Sequence, residues 1–148
     1  MLKGLNGTSA KNFANYWYNT GKTNSRGWWF QLDLHGGVNS AVTNGDFSAS
    51  SYAHRDKLFL LQFYDQTFFG SYPSNGFPFL DNFVSNVTAP LPASDWGMYI
   101  NYADSRLNRT AAQQAYYGAS LPRLQKLKAQ YDPNELFYSP LSIQPVAA

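Results

Sequence analysis

Gln31 and Asp33 are the first residues in the chain whose types and spacing could do chemistry. One residue apart in the alternating run from Trp28 to His35, they project from the same side of a β-strand about 7 Å apart along the chain. A carboxamide that can orient a hydroxyl then stands beside a carboxylate that can take up a proton. Among Trp28, Trp29 and Phe30 such a pair reads as a cleft wall; the competing reading is the solvated side of an edge strand. Metal chemistry has little to work with, because there is no cysteine and His35 and His54 are the two histidines, without a cluster of further ligands.

The elements that must position this pair follow from periodicity. A short helix is expected over 9–18, with Phe13 and Trp17 on one side, then a polar connection over 19–27. The period changes to two over 28–35, where Trp28, Phe30, Leu32 and Leu34 face one way and Trp29, Gln31, Asp33 and His35 the other. Gly36-Gly37 ends this strand, and 39–52 is small and polar, a surface loop. A second strand is expected over 58–64, a Gly and Pro loop over 73–78, a helix over 79–86, and a third strand over 97–102.

Toward the end, Thr110 with Gln113 three positions on is a capping-box start, and Gly118 is the left-handed stop of a helix ending in Tyr116 and Tyr117. Another helix starts at Ser120 with Pro122 in its first turn. Leu121, Leu124, Leu127 and Tyr131 recur on one side, Arg123, Lys126 and Lys128 stay on the wet side, and Asp132-Pro133 ends it. The succession predicts an α+β fold: an antiparallel sheet with helices on one face, plus terminal helices. No Gly-x-Gly-x-x-Gly turn, phosphate loop or internal repeat occurs.

Composition narrows the function classes. The 148 residues are 44% hydrophobic, which argues for a packed core, and only 14% charged against 18% aromatic. That balance suits a piece shaped to lie against a larger body. The net charge of +2 is small and dispersed, so nucleic acid is not an expected partner. No apolar run is long enough to span a membrane, and none follows Met1 as a signal peptide would. Three sequons, Asn6-Gly7-Thr8, Asn86-Val87-Thr88 and Asn108-Arg109-Thr110, nevertheless support a secreted parent whose signal lay upstream.

The stretch YYGASLPRLQKLKAQYDPNELFYSPLSI, from Tyr116 to Ile143, closely resembles the carboxyl-terminal signature of the berberine-bridge-enzyme-like flavin oxidases. The resemblance extends over about 28–143. It implies the carboxyl-terminal part of an FAD-linked oxidoreductase whose FAD domain and flavin attachment sites lie upstream. Residues 1–109 would then be part of a substrate-binding domain, and 110–148 the segment returning to the FAD domain.

Asn101-Tyr102-Ala103-Asp104 resembles the family's Asn-Tyr-x-Asp motif. This implies contact of Asn101 and Tyr102 with the cofactor, and Tyr102 as the base that takes the substrate hydroxyl proton while hydride passes to flavin N5. Gln62, in a strand after His54-Arg55, stands where the family presents Gln or Glu to substrate, although Ala53 replaces the proline often found before the His-Arg pair. An amide does not titrate, so Gln62 can orient and not act as base. A free tyrosine has a pKa near 10, so Tyr102 needs relief, and Asp33 is the expected destination of its proton. The Gln31-x-Asp33 strand resembles that of the family's sugar oxidases, so a sugar alcohol, or another small-molecule alcohol of secondary metabolism, is the expected substrate. The other reading is a noncatalytic truncated module that binds a carbohydrate or protein through its aromatic-lined sheet.

Overall fold

The computed structural model describes residues 1–45 and 50–146. Helix α1 (Gly7–Asn19) starts where Asn6 Oδ1 accepts the Ser9 N–H at 2.8 Å. Strand β1 (Gly27–Leu34) pairs antiparallel with β2 (Phe59–Gln66), with Gly27 opposite Gln66 and Leu34 opposite Phe59. Directly opposed residues share a face. Trp28, Phe30, Leu32 and Leu34 therefore lie with Asp65, Phe63, Leu61 and Phe59, while Trp29, Gln31 and Asp33 lie with Tyr64, Gln62 and Leu60 on the reverse. Between the strands, a short α2 (Ala41–Asn44) is capped by the Ser40 hydroxyl inside the expected loop.

Helix α3 (Gly76–Thr88) and α1 both pack on the first face, giving the expected α+β arrangement with helices on one side. Phe79, Phe83 and Val87 recur every four residues on α3, so they form one buried stripe. Phe83 has no exposed surface and stacks on Phe63 at 5.0 Å, with Tyr16 and Phe79 edge-on at 4.7 and 5.2 Å. Phe13 of α1 meets Phe30 edge-on at 5.0 Å, so the sheet is joined to both helices through aromatic rings. At the end of this face the buried Asp65 carboxylate accepts from Arg26 at 2.7 and 2.8 Å and from the Tyr72 hydroxyl at 2.9 Å. A charge in that position is tolerable because its oxygens are satisfied by donors.

Helices α4 (Arg109–Tyr117) and α5 (Leu121–Tyr131) follow. Gly118 stops α4 with φ of 46°, as expected. Asp132 ends α5, where its carboxylate accepts the N–H groups of Leu136 and Phe137 at 2.6 and 3.1 Å. Among the described residues no helix is long and apolar enough to cross a membrane.

Several local expectations are corrected. The third strand over 97–102 is absent: 97–99 is irregular and Ile100–Tyr102 is a 3₁₀ turn. A strand needs neighbouring backbone to pair with; Met1, Leu2 and Lys3 bond Gly97, Phe59 and Asp95, and among the described residues no ladder continues over 98–102. The start of α4 is capped by Asn108, whose Oδ1 accepts the Ala111 N–H at 2.9 Å. Thr110 and Gln113 therefore lie inside the helix, and Gln113 is buried with its amide on the Ser142 carbonyl. Ser120 makes no cap hydrogen bond, since the 3₁₀ turn Gly118–Ser120 runs directly into α5. Lys128 is not on the wet side but largely buried, paired with Asp132 and donating to the Phe137 carbonyl at 2.7 Å. Leu127 and Tyr131 are the exposed members of that helix's apolar set.

Because Phe83 touches Phe63, Phe79 and Tyr16 at once, Phe83→Ala should cost about 3–5 kcal/mol of stability. Chemical denaturation of the two proteins side by side measures this, and a loss under about 1 kcal/mol would place the core elsewhere.

Candidate functional site

A cleft of about 480 Å³ runs along the edge of β2 that β1 leaves free, between α3 and the segment 96–106. Gln62, Asn101 and Tyr102 all line it. Gln31 and Asp33 lie one strand away, and register brings them alongside, because Gln31 stands directly opposite Gln62 on the same face. The Gln31 amide donates to both Asp33 carboxylate oxygens at 3.0 Å. The strand alternation expected from sequence is thus observed, and Gln62 joins the pair through cross-strand pairing.

Tyr102 closes the Ile100–Tyr102 turn, its N–H on the Tyr99 carbonyl at 2.9 Å and its ring edge-on to Tyr99 at 5.4 Å. It is 37% exposed, open to a ligand from the cleft side. The Asn101 amide donates to the Tyr99 hydroxyl at 2.7 Å. Three parts of the fold hold this turn. The His54 ring bonds the Met98 carbonyl at 2.6 Å, and the Asp104 N–H donates to the buried Tyr116 hydroxyl of α4 at 2.9 Å. From α3, Asp81 receives both arms of Arg106 at 2.6 and 2.7 Å while Arg106 also holds Asp104 at 2.9 Å. The Arg106 hydrogen bonds keep the Asp81 carboxyl below its ordinary pKa.

Among the described residues Asp33 makes no hydrogen bond to Tyr102, whose ring is instead reached by a run of contacts from His35 through Tyr52 and Tyr99. Tyr52 Oη and His35 Nε2 are 2.5 Å apart, and the Tyr52 ring meets Tyr99 edge-on at 6.2 Å. Burial, with Tyr99 adding to it, pushes the Tyr52 hydroxyl up to about 12. Burial and the Met1 amine lower the His35 imidazole, against the pull of Asp33. Both directions keep the pair neutral, and the Tyr52 hydroxyl also lies 3.2 Å from Met1 Sδ.

Two further residues were not among the site residues expected from the sequence. Trp29 and Tyr64 stack with rings 5.2 Å apart and 18° from parallel, 42% and 38% exposed, on the face that carries Gln31, Gln62 and Asp33. Alternation did put Trp29 beside Gln31 and Asp33, but the pairing partner that makes it a platform is visible only in the register.

A large ring cofactor can be tested against this surface. Asn101 and Tyr102 offer hydrogen-bonding groups to the polar edge of a ring system. A diphosphate, in contrast, needs successive backbone N–H groups on a Gly-rich turn, and Gly37, Gly70 and Gly118, the positive-φ glycines among the described residues, are isolated from one another. These residues therefore fit the ring portion of FAD and not its pyrophosphate. No group of three metal-ligating side chains occurs among the described residues.

Residues 98–144 match the family described as berberine and berberine-like, covering both the Asn101-Tyr102 turn and the terminal helices. A carbohydrate oxidase from Microdochium nivale is 50% identical over 98% of this chain, which corresponds to 30% of that relative's length. The structure of xylooligosaccharide oxidase from Myceliophthora thermophila C1 in complex with xylobiose has a TM-score of 0.93 at 45% identity, covering 99% of this chain and 32% of that one. A structure of glucooligosaccharide oxidase from Acremonium strictum, described with a 6-S-cysteinyl, 8α-N1-histidyl FAD, has a TM-score of 0.88 at 38% identity over 97% of this chain and 32% of that one. The fold is the α+β portion that these oxidases share with this chain. The chain belongs to the berberine-bridge-enzyme-like family and spans about 30% of the length of the first relatives it matches.

Two outcomes follow from the geometry. FAD titrated into the 148-residue chain should bind with a Kd well above micromolar, because the pyrophosphate finds no nest; isothermal calorimetry giving a sub-micromolar value would contradict this. Tyr116→Phe strands the Asp104 N–H and should cost about 1–3 kcal/mol, with faster amide exchange over 101–106 as the local readout.

Proposed function

We propose that this chain is the substrate-facing part of an FAD-dependent oxidase acting on a carbohydrate alcohol. The observation that carries the proposal is the cross-strand set on the open face of the hairpin: the exposed Trp29–Tyr64 stack directly adjoining Gln31, Gln62 and Asp33. Flat aromatic surface beside neutral amides suits the apolar face and equatorial hydroxyls of a sugar ring. The names of the three relatives described above, a carbohydrate, a xylooligosaccharide and a glucooligosaccharide oxidase, favour the same class.

In this reading Gln31 and Gln62 hold the sugar hydroxyls while Tyr102 stands at the reacting carbon. Tyr102 takes the hydroxyl proton as the carbinol C–H bond breaks. Bound FAD would supply the acceptor for the two electrons removed from that carbon, with Asn101 and Tyr102 at the edge of its ring. Asp33 is the destination of the proton through solvent or through rearrangement of its bond to Gln31, and it stabilises the charge left near the site. Residues 1–109 form the substrate side and 110–148 the segment returning to the FAD domain. The parent is secreted and glycosylated in this proposal. The exposure of Asn6 and Asn108 supports that placement, while Asn86 lies half-buried on α3.

The test is made in the FAD-loaded protein that contains this chain. Tyr102→Phe should lower kcat by about two to four powers of ten with KM within a small factor, since the variant keeps the ring and loses the proton acceptor. Asp33→Asn should lower kcat less, and Gln62→Glu should act mainly on KM. If Tyr102→Phe retained turnover and lost only affinity, Tyr102 would be a binding residue and the base would lie elsewhere.

A further inference from the structure

The open face of the hairpin continues past the Trp29–Tyr64 stack. Gly27 stands opposite Gln66 at the next same-face position, and a Cβ there would come within 2.8 Å of Phe68 Cε2 and 3.0 Å of Cζ, with Gln66 Cγ at 3.3 Å. The Phe68 ring therefore occupies the space that a side chain at position 27 would fill, on the same face as Trp29 and Tyr64. It is 71% exposed. In the loop that carries it, the Thr67 hydroxyl donates to the Phe69 carbonyl at 2.9 Å, and Gly70 turns the chain with φ of 75°.

In order along this face come the Phe68 ring, the Trp29–Tyr64 stack, the Gln31–Gln62 pair and Asp33. From Gly27 to Asp33 the track is about 20 Å long, several sugar units. Its one charge is at the Asp33 end, and the amides of Gln31, Gln62 and Gln66 are neutral, so the face suits a neutral polyol chain better than an ionic one. Tyr64 is locked in its stacking orientation by donating to Gln66 Oε1 at 2.8 Å.

We propose that Phe68, seated over Gly27, is a distal stacking platform that sets a preference for longer linear neutral oligosaccharides. This rests on the carbohydrate reading above and adds to it a chain-length determinant remote from Tyr102. Gly27 is the permissive partner: any side chain there displaces the ring.

The FAD-loaded protein containing this chain, with its flavin reduced and oxygen excluded so that no oxidation occurs, is titrated calorimetrically with xylo- and gluco-oligosaccharides of two to five units. The native protein should bind the longer members more tightly. Phe68→Ala should erase roughly two- to tenfold of that advantage, the size of one aromatic stacking contact. Gly27→Ala should reproduce the loss with Phe68 still present, because an exposed loop ring yields more readily than strand backbone, and Phe68→Tyr should restore the native series. Variants that keep the native length dependence overturn the proposal, as does a native protein whose affinity is flat with length; in either case the carbohydrate reading survives. A native protein that binds no oligosaccharide of any length overturns both.

Discussion

The in-phase antiparallel pairing of β1 with β2 is the constraint on which the other features rest. Two faces of opposite character depend on it: Trp28, Phe30, Leu61 and Phe63 turn toward α1 and α3, while Trp29, Gln31, Asp33, Gln62 and Tyr64 turn outward. Because strand side chains alternate with period two, a slip of one residue on either strand would send a glutamine into the ring cluster around Phe83 and a phenylalanine into solvent. The aromatic packing that fixes the register on one face therefore fixes the spacing of the polar groups on the other. Stability and site geometry are coupled through the same eight-residue ladder.

Tyr102 is positioned by different means. It stands on a 3₁₀ turn, a form with few backbone bonds of its own, so its placement depends on contacts from outside. His54 holds the preceding carbonyl, Tyr116 holds the Asp104 amide, and Arg106 ties the same turn to Asp81 on α3. Each anchor comes from a separate segment, so the turn is precise only once the helices and the 53–57 segment have all packed. A reactive tyrosine on such a turn is displaced readily by changes far from it, whereas Gln31 and Gln62 move only if the ladder does.

The apolar surface left open has a definite distribution. Tyr131, Leu136, Phe137 and Tyr138 are exposed around the end of α5, where Asp132 and Lys128 hold the chain in a compact turn. The polypeptide in this region is well ordered by hydrogen bonds and poorly covered by neighbours. That combination is consistent with a chain that spans about 30% of its relatives' length.

Local rules made much of this legible. Alternation marked the first strand and the shared face of Gln31 and Asp33; the recurrence of apolar residues marked the last helix; Gly118 and Asp132-Pro133 marked helix ends. The motif around Tyr102 was also readable as a string of residues. Its conformation was not, because a strand at 97–102 fails for want of a partner, and partners are a property of the tertiary structure. The same holds for the caps, where Asn108 prevails over Thr110 by starting the helix earlier, and for Lys128, which burial turns from a surface charge into the partner of Asp132. Sequence by itself determined which residues alternate, which turn and which can do chemistry. Only the tertiary structure decided that Gln62 faces Gln31, that Trp29 and Tyr64 form one flat surface, and that Tyr52 links His35 to Tyr99, because these depend on contacts between segments whose separation along the chain carries no local signal.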